Sequence, residues 1–183
     1  MIENSIIKEK LLRTDTKALV GAVITGIVML IMMQVSGRID AILDPTLLLF
    51  NGTCWAFFTG LIVLMYKQPA GIIAGLVEAF VAMASAYSPL AFFFIFANTV
   101  GSICYSLTAM NLSMDKLTHH ILAQLACTVT GNFCVMLGLI YVVHLDWKIA
   151  LLSSSLTTIV STIVAGILTK YVYNALKKSA LLG

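Results

Sequence analysis

Residues 68–89 read QPAGIIAGLVEAFVAMASAYSP. The stretch is an apolar helix pattern bounded by Pro69 and Pro89, with one carboxylate, Glu78, near its middle. A central acid in hydrocarbon is costly, about 2.5–3.5 kcal/mol on insertion scales, and is by default a functional residue. Ala70, Ala74, Glu78, Ala82 and Ala86 fall at four-residue spacing, which is one face of a helix. Small residues on that face let another backbone approach closely, so Glu78 is expected to point into protein and not into lipid. The plainer alternative is a protonated acid in a structural interhelical hydrogen bond.

Around this helix the chain is 60% apolar and 10% charged over 183 residues. Soluble domains carry about 25% charged residues, so the composition points to an integral membrane protein. The fold class expected is all-α, polytopic, with six transmembrane helices and both termini cytoplasmic. The spans fall near residues 17–36, 46–66, 70–87, 90–111, 121–143 and 149–173, each reaching across about 30 Å of hydrocarbon at 1.5 Å per residue. Residues 1–16 read as an amphipathic surface segment, with Ile6, Ile7, Leu11 and Leu12 toward lipid and Lys8, Lys10 and Arg13 toward headgroups. Residues 17–178 form one six-helix substrate-binding domain, and 179–183 a tail. No cleavable signal peptide is read, because residues 1–17 are polar, of mixed charge, and lead straight into a full-length span.

Basic residues orient the spans. With both termini inside, the cytoplasmic side holds Lys8, Lys10, Arg13, Lys17, Lys67, Lys116, Lys170, Lys177 and Lys178. Only Arg38 and Lys148 lie outside. Depths follow from that orientation. Glu78 lies near the midplane, and Asn51 and Trp55 lie in the outer half of span two, one turn apart. Asn98 and Ser102 share a row on span four, as do Gln124, Thr128 and Asn132 on span five. A pocket needs a few convergent polar groups within apolar walls. The candidate binding residues are therefore Glu78, Trp55, Asn51, Asn98, Asn132 and Tyr87, with Phe94 as a further aromatic. A cationic or hydrogen-bond-donating ligand suits Glu78, and aromatic faces suit a flat or positively charged one. Each has a structural alternative: Asn pairs join helices, and end-of-span Trp and Tyr (Trp147, Tyr66, Tyr171 and Tyr173 here) form interfacial belts. His144 and Asp146 lie in an outer loop, as part of a lid or a solvated turn.

Enzyme and metal chemistry have no motif. There is no HExxH, no Gly-x-Ser-x-Gly, no Walker A sequence and no acidic cluster. Cys54, Cys104, Cys127 and Cys134 sit in apolar spans without CxxC spacing and read as core residues. No metal, no cofactor, no catalysis and no nucleic-acid partner is expected. Ala18, Ala22 and Gly26 form a small-residue row at the start of span one, which permits close helix packing within the chain or with a partner.

Six short-looped spans in about 180 residues, both ends inside, Ala18-Leu-Val-Gly-Ala22 opening span one, and an outward polar and aromatic pocket together resemble the substrate-binding S-component of an energy-coupling factor (ECF) vitamin transporter. The run Lys67-Gln68-Pro69-Ala70-Gly71 leading to Glu78 is similar to the thiamine and hydroxymethylpyrimidine group. The resemblance implies high-affinity capture of a vitamin from outside the cell membrane of a prokaryote. It implies partners: a transmembrane coupling subunit that carries two cytoplasmic ATPases, docked at Ala18, Ala22 and Gly26. It also implies a gate formed by residues 37–45. A membrane scaffold or accessory subunit without a small ligand is the competing expectation.

Overall fold

The computed structural model describes residues 12–43 and 47–179. Six helices account for most of them: α1 (Thr16–Leu43), α2 (Leu49–Tyr66), α3 (Ala70–Ala84), α4 (Ala91–Met110), α5 (Leu117–Tyr141) and α6 (Trp147–Lys178). No strand occurs among the described residues; a single bridge pairs Leu12 with Gln68. All helices but α3 are long and apolar enough to cross a membrane. With 15 residues, α3 extends only about 22 Å at 1.5 Å per residue.

The helices close into a ring in the order α1, α3, α4, α5, α6, α2, and α2 also leans inward to touch every other helix. Large apolar side chains cover the outside, among them Ile24, Ile31, Phe80, Phe133, Leu152 and Ile159. The interior is polar by comparison: Asp40, Asn51, Gln68, Glu78, Asn98, His120, Gln124 and Asn132 are all buried. An apolar exterior around a hydrogen-bonded interior is what a lipid solvent selects, because unpartnered polar groups are excluded from hydrocarbon.

Two expectations about boundaries need correction. Residues 37–43 are not a loop; α1 continues through Ser36, Gly37 and Arg38 to Leu43, since no proline intervenes before Pro45. Residues 44–46 lie outside the described residues, so the expected gate survives there only as sequence. The helical extension has a purpose. Asp40 is buried and its carboxylate accepts from Phe50 N (2.9 Å) and Asn51 N (2.8 Å), capping the free amino end of α2. The second correction concerns α3, which stops at Ala84. Ala86 adopts a left-handed conformation (φ 50°). Tyr87 N then donates to Ala82 O and Ala86 N to Met83 O, the paired bonds of a Schellman ending. Ala86 therefore leaves the four-residue row and is exposed.

At the amino end, residues 12–15 are not helical, and 1–11 lie outside the described residues. Arg13 pairs with Asp15, and Asp15 Oδ1 accepts from Ala18 N at 2.9 Å, capping α1. Arg13 N donates to Gln68 O (2.7 Å). The side chain of Gln68 in turn donates to Ser102 Oγ (2.7 Å) and Ser106 Oγ (2.6 Å), pinning the α2–α3 turn onto α4. We call this end of the bundle proximal and the end near Asp40 and Tyr87 distal. At the distal end Asp146 accepts from Lys148 N and caps α6, so its part is a helix end. His144 beside it is exposed.

Candidate functional site

Trp55 projects from α2 into the middle of the ring and is 5% exposed. Its slot exists because two facing residues lack a side chain. A Cβ on Gly131 of α5 would lie 2.1 Å from the indole, and one on Gly101 of α4 would lie 2.9 Å from it. Both glycines escaped the sequence reading. A Trp on one span facing glycines on two others is the pattern that would have found them.

Next to the indole lies a small cavity of about 30 Å³, lined by Met33, Asn51, Trp55, Phe94, Asn98 and Asn132 among others. Four of the six expected binding residues thus meet at one place, brought there by α2, α4 and α5. The other two are near but not in it. Glu78 is fully buried and sits behind Asn98, whose Nδ2 donates to Glu78 Oε2 (2.9 Å) and to Gly75 O (2.6 Å). Close contact of α3 and α4 makes this possible, since a Cβ on Gly75 would stand 2.6 Å from Asn98 Cβ. Tyr87 lines a separate open recess of about 360 Å³ at the distal surface, together with Gly37, Arg38 and Pro89.

Asn51, Leu48 and Phe94 line both spaces. The partition between them is a three-way hydrogen-bond cluster. Tyr87 Oη donates to Met33 O (2.7 Å), and Asn51 Nδ2 donates to Met33 O (2.9 Å) and to Tyr87 Oη (3.0 Å). Gly37 leaves the path to the Met33 carbonyl open; a Cβ there would sit 2.3 Å from the Tyr87 hydroxyl.

No family model, curated protein or solved structure matches this chain. Its chemistry is read from the site alone. On the far side of the cavity, Asn132 Nδ2 donates to Thr158 Oγ1 of α6 at 2.9 Å. All three asparagines thus donate through Nδ2 to the protein frame, and for Asn51 and Asn98 a backbone carbonyl fixes that amide orientation. Glu78 Oε1 and Trp55 Nε1 are buried with no hydrogen-bond partner among the described residues. The amide oxygens of the three asparagines are thus left as acceptors at the cavity, beside the rings of Trp55 and Phe94. No group of His, Cys, Asp and Glu with metal-binding proximity occurs among the described residues.

The small-residue row of α1 packs against its own bundle, one of the two uses expected of it. Ala18 and Ala22 are fully buried inside this chain. Gly26 packs on α3, where a Cβ would come 2.7 Å from Ala74 O. The row is used for packing within the bundle.

Proposed function

We propose that this protein is the substrate-binding subunit of an ECF-type importer, with six membrane spans and both termini in the cytoplasm of a prokaryotic cell. In this reading the distal end faces outward, in keeping with the crowding of Lys and Arg at the proximal end. The observation that carries the reading is the convergence of Asn51, Trp55, Asn98 and Asn132 on one cavity beneath a distal recess. Acceptor oxygens with an indole face favour a flat ligand bearing N–H donors or a positive charge. Thiamine or its pyrimidine precursor has that character.

The ligand enters through the recess. The Tyr87–Asn51–Met33 cluster separates to join the two spaces, since about 30 Å³ holds roughly one water whereas ligand pockets measure about 300–1,000 Å³. Glu78 then acts through Asn98 or, after a side-chain shift, directly. Release inside needs a coupling subunit and two ATPases, because this chain has no P-loop.

The small volume of the cavity, about 30 Å³, also favours a second reading, an accessory membrane subunit in which Asn98–Glu78 only joins α3 to α4. Calorimetry on the purified protein with a panel of vitamins separates the two. Binding that Trp55→Ala abolishes supports the importer. Absence of binding to every vitamin, with stability that responds only to a protein partner, supports the accessory subunit.

A further inference from the structure

The distal recess differs in polarity from the cavity beneath it. Its volume is about 360 Å³, and Arg38 is the one charged residue that lines it. Gly37, Arg38 and Ala41 of α1 form one wall, and Tyr87, Ser88 and Pro89 form another. Arg38 is exposed and has neither a hydrogen bond nor an ion pair among the described residues, where the cation that is paired is Arg13, with Asp15. Asp40, two residues further along α1, does not serve as its partner. That side chain is buried, and its carboxylate accepts from Phe50 N and Asn51 N.

The other polar side chains of the recess also have protons to give. Ser88 Oγ accepts from Leu90 N at 3.1 Å, which leaves its hydroxyl proton for a further acceptor. Tyr87 Oη and Asn51 Nδ2 spend theirs on the Met33 carbonyl, and both come free when that cluster separates. The turn of α1 that bears Arg38 lies against this partition, since a Cβ on Gly37 would stand 3.2 Å from Asn51 Nδ2. Beyond the partition the cavity has the asparagine amide oxygens. Joined, the two spaces make one site with acceptors at its inner end and a cation and donors at its outer end.

We propose that the recess is a subsite for an oxyanion, a phosphate or a carboxylate, carried by the same ligand whose ring enters the cavity, and that Arg38 reads its charge. On the substrate-binding reading above, which this subsite presupposes, the ligand is then not a plain cation. It is a flat ring with N–H donors or a positive charge, bearing an anionic arm. A plain cation meets a like charge at the entrance, whereas an anionic arm is drawn to it. The guanidinium presents a planar fork of N–H donors that holds a phosphate or carboxylate by two bonds at once. Asn51 lines both spaces, so a short arm on the ring reaches the recess.

Titration calorimetry on the full chain with thiamine and with its phosphate monoester tests the subsite, because the two probes differ only in the oxyanion. The wild type is expected to bind the ester about tenfold more tightly, with an advantage that shrinks as salt is raised, and Arg38→Gln to bind the two alike. Equal affinities in the wild type, or an advantage that survives Arg38→Gln, overturn the proposal. If neither probe binds, the vitamin reading is what fails, and the subsite is read by NMR. Arg13 and Arg38 are the only arginines, so ¹⁵N-arginine labelling of the chain in phosphatidylcholine vesicles gives two side-chain signals. Inorganic phosphate is expected to move that of Arg38 at concentrations that leave the paired Arg13 in place. Both signals moving together mean an adventitious ion only and overturn the site, as does no movement. Movement that needs phosphatidylglycerol in the vesicles assigns Arg38 to lipid headgroups and overturns it too.

Discussion

Asn98 on α4 donates to Glu78 on α3 across 2.9 Å, and the same nitrogen holds the Gly75 carbonyl. One amide group thus fixes both the position of the lone mid-helix carboxylate and the contact between two helices. Asn98 is also the member of the pair that reaches the cavity. Glu78→Gln keeps an oxygen for Asn98 to donate to, so the protein stays folded with an unfolding midpoint near wild type. Its affinity for a cationic vitamin falls by about 1.5–3 kcal/mol, the range for hydrogen bonds to charged groups. Titration calorimetry reads this directly, and unchanged affinity rejects the assigned role. Asn98→Leu instead leaves the buried acid with no partner and lowers stability by about 1–3 kcal/mol.

Gly131→Ala places a methyl group 2.1 Å from the Trp55 ring as it now stands. The indole must move or the helices must separate, at a loss of about 1–3 kcal/mol. Fluorescence in a Trp147→Phe background reports on Trp55 alone, since the chain has only two tryptophans. The expected change is a shifted emission maximum together with lower thermal stability. Identical spectra and stability would reject the tight fit of the indole against Gly131.

Ala18→Leu combined with Ala22→Leu adds bulk at two fully buried positions. Each overpacked site loses about 1–3 kcal/mol, so the isolated protein in detergent should unfold at a lower temperature. A docking surface predicts the reverse pattern: a midpoint equal to wild type, with loss of co-purifying ATPase subunits. Thermal unfolding and pull-down on the same preparation distinguish these outcomes.

Asp15 titrates outside the spans. Its hydrogen bond from Arg13, and then that from Ala18 N–H, hold its carboxyl below the ordinary value of 3.8. A depressed folded-state pKa contributes stability that is present above the unfolded value and lost as pH falls toward the folded one. The midpoint difference between wild type and Asp15→Asn should therefore be constant at neutral pH and shrink below 3.8. A difference that persists unchanged into that acid range removes the capping charge as its cause.

Much of this arrangement is legible in local pattern. Asn51 and Trp55 one turn apart, the Gln124–Thr128–Asn132 row and the Ala row beside Glu78 all show which helix faces are buried, because a helix repeats every 3.6 residues whatever surrounds it. Asp40 is not legible. It reads as an outer-loop acid, and its work on Phe50 and Asn51 depends on a fold-back between two helices. Ala86 is opaque for a related reason: a left-handed residue is normally marked by glycine, and here alanine occupies the position.

By itself, then, the amino-acid sequence determined that this is an all-helical chain with an apolar exterior and a polar interior. Hydropathy and helical period are properties of each segment alone. Only the tertiary structure decided that Ala18, Ala22 and Gly26 face inward, that Glu78 reaches the cavity through Asn98, and that Tyr87 and Asn51 meet at the Met33 carbonyl beside it. Those are relations between helices, set by which side-chain-free positions let two backbones meet, and no single segment carries that information.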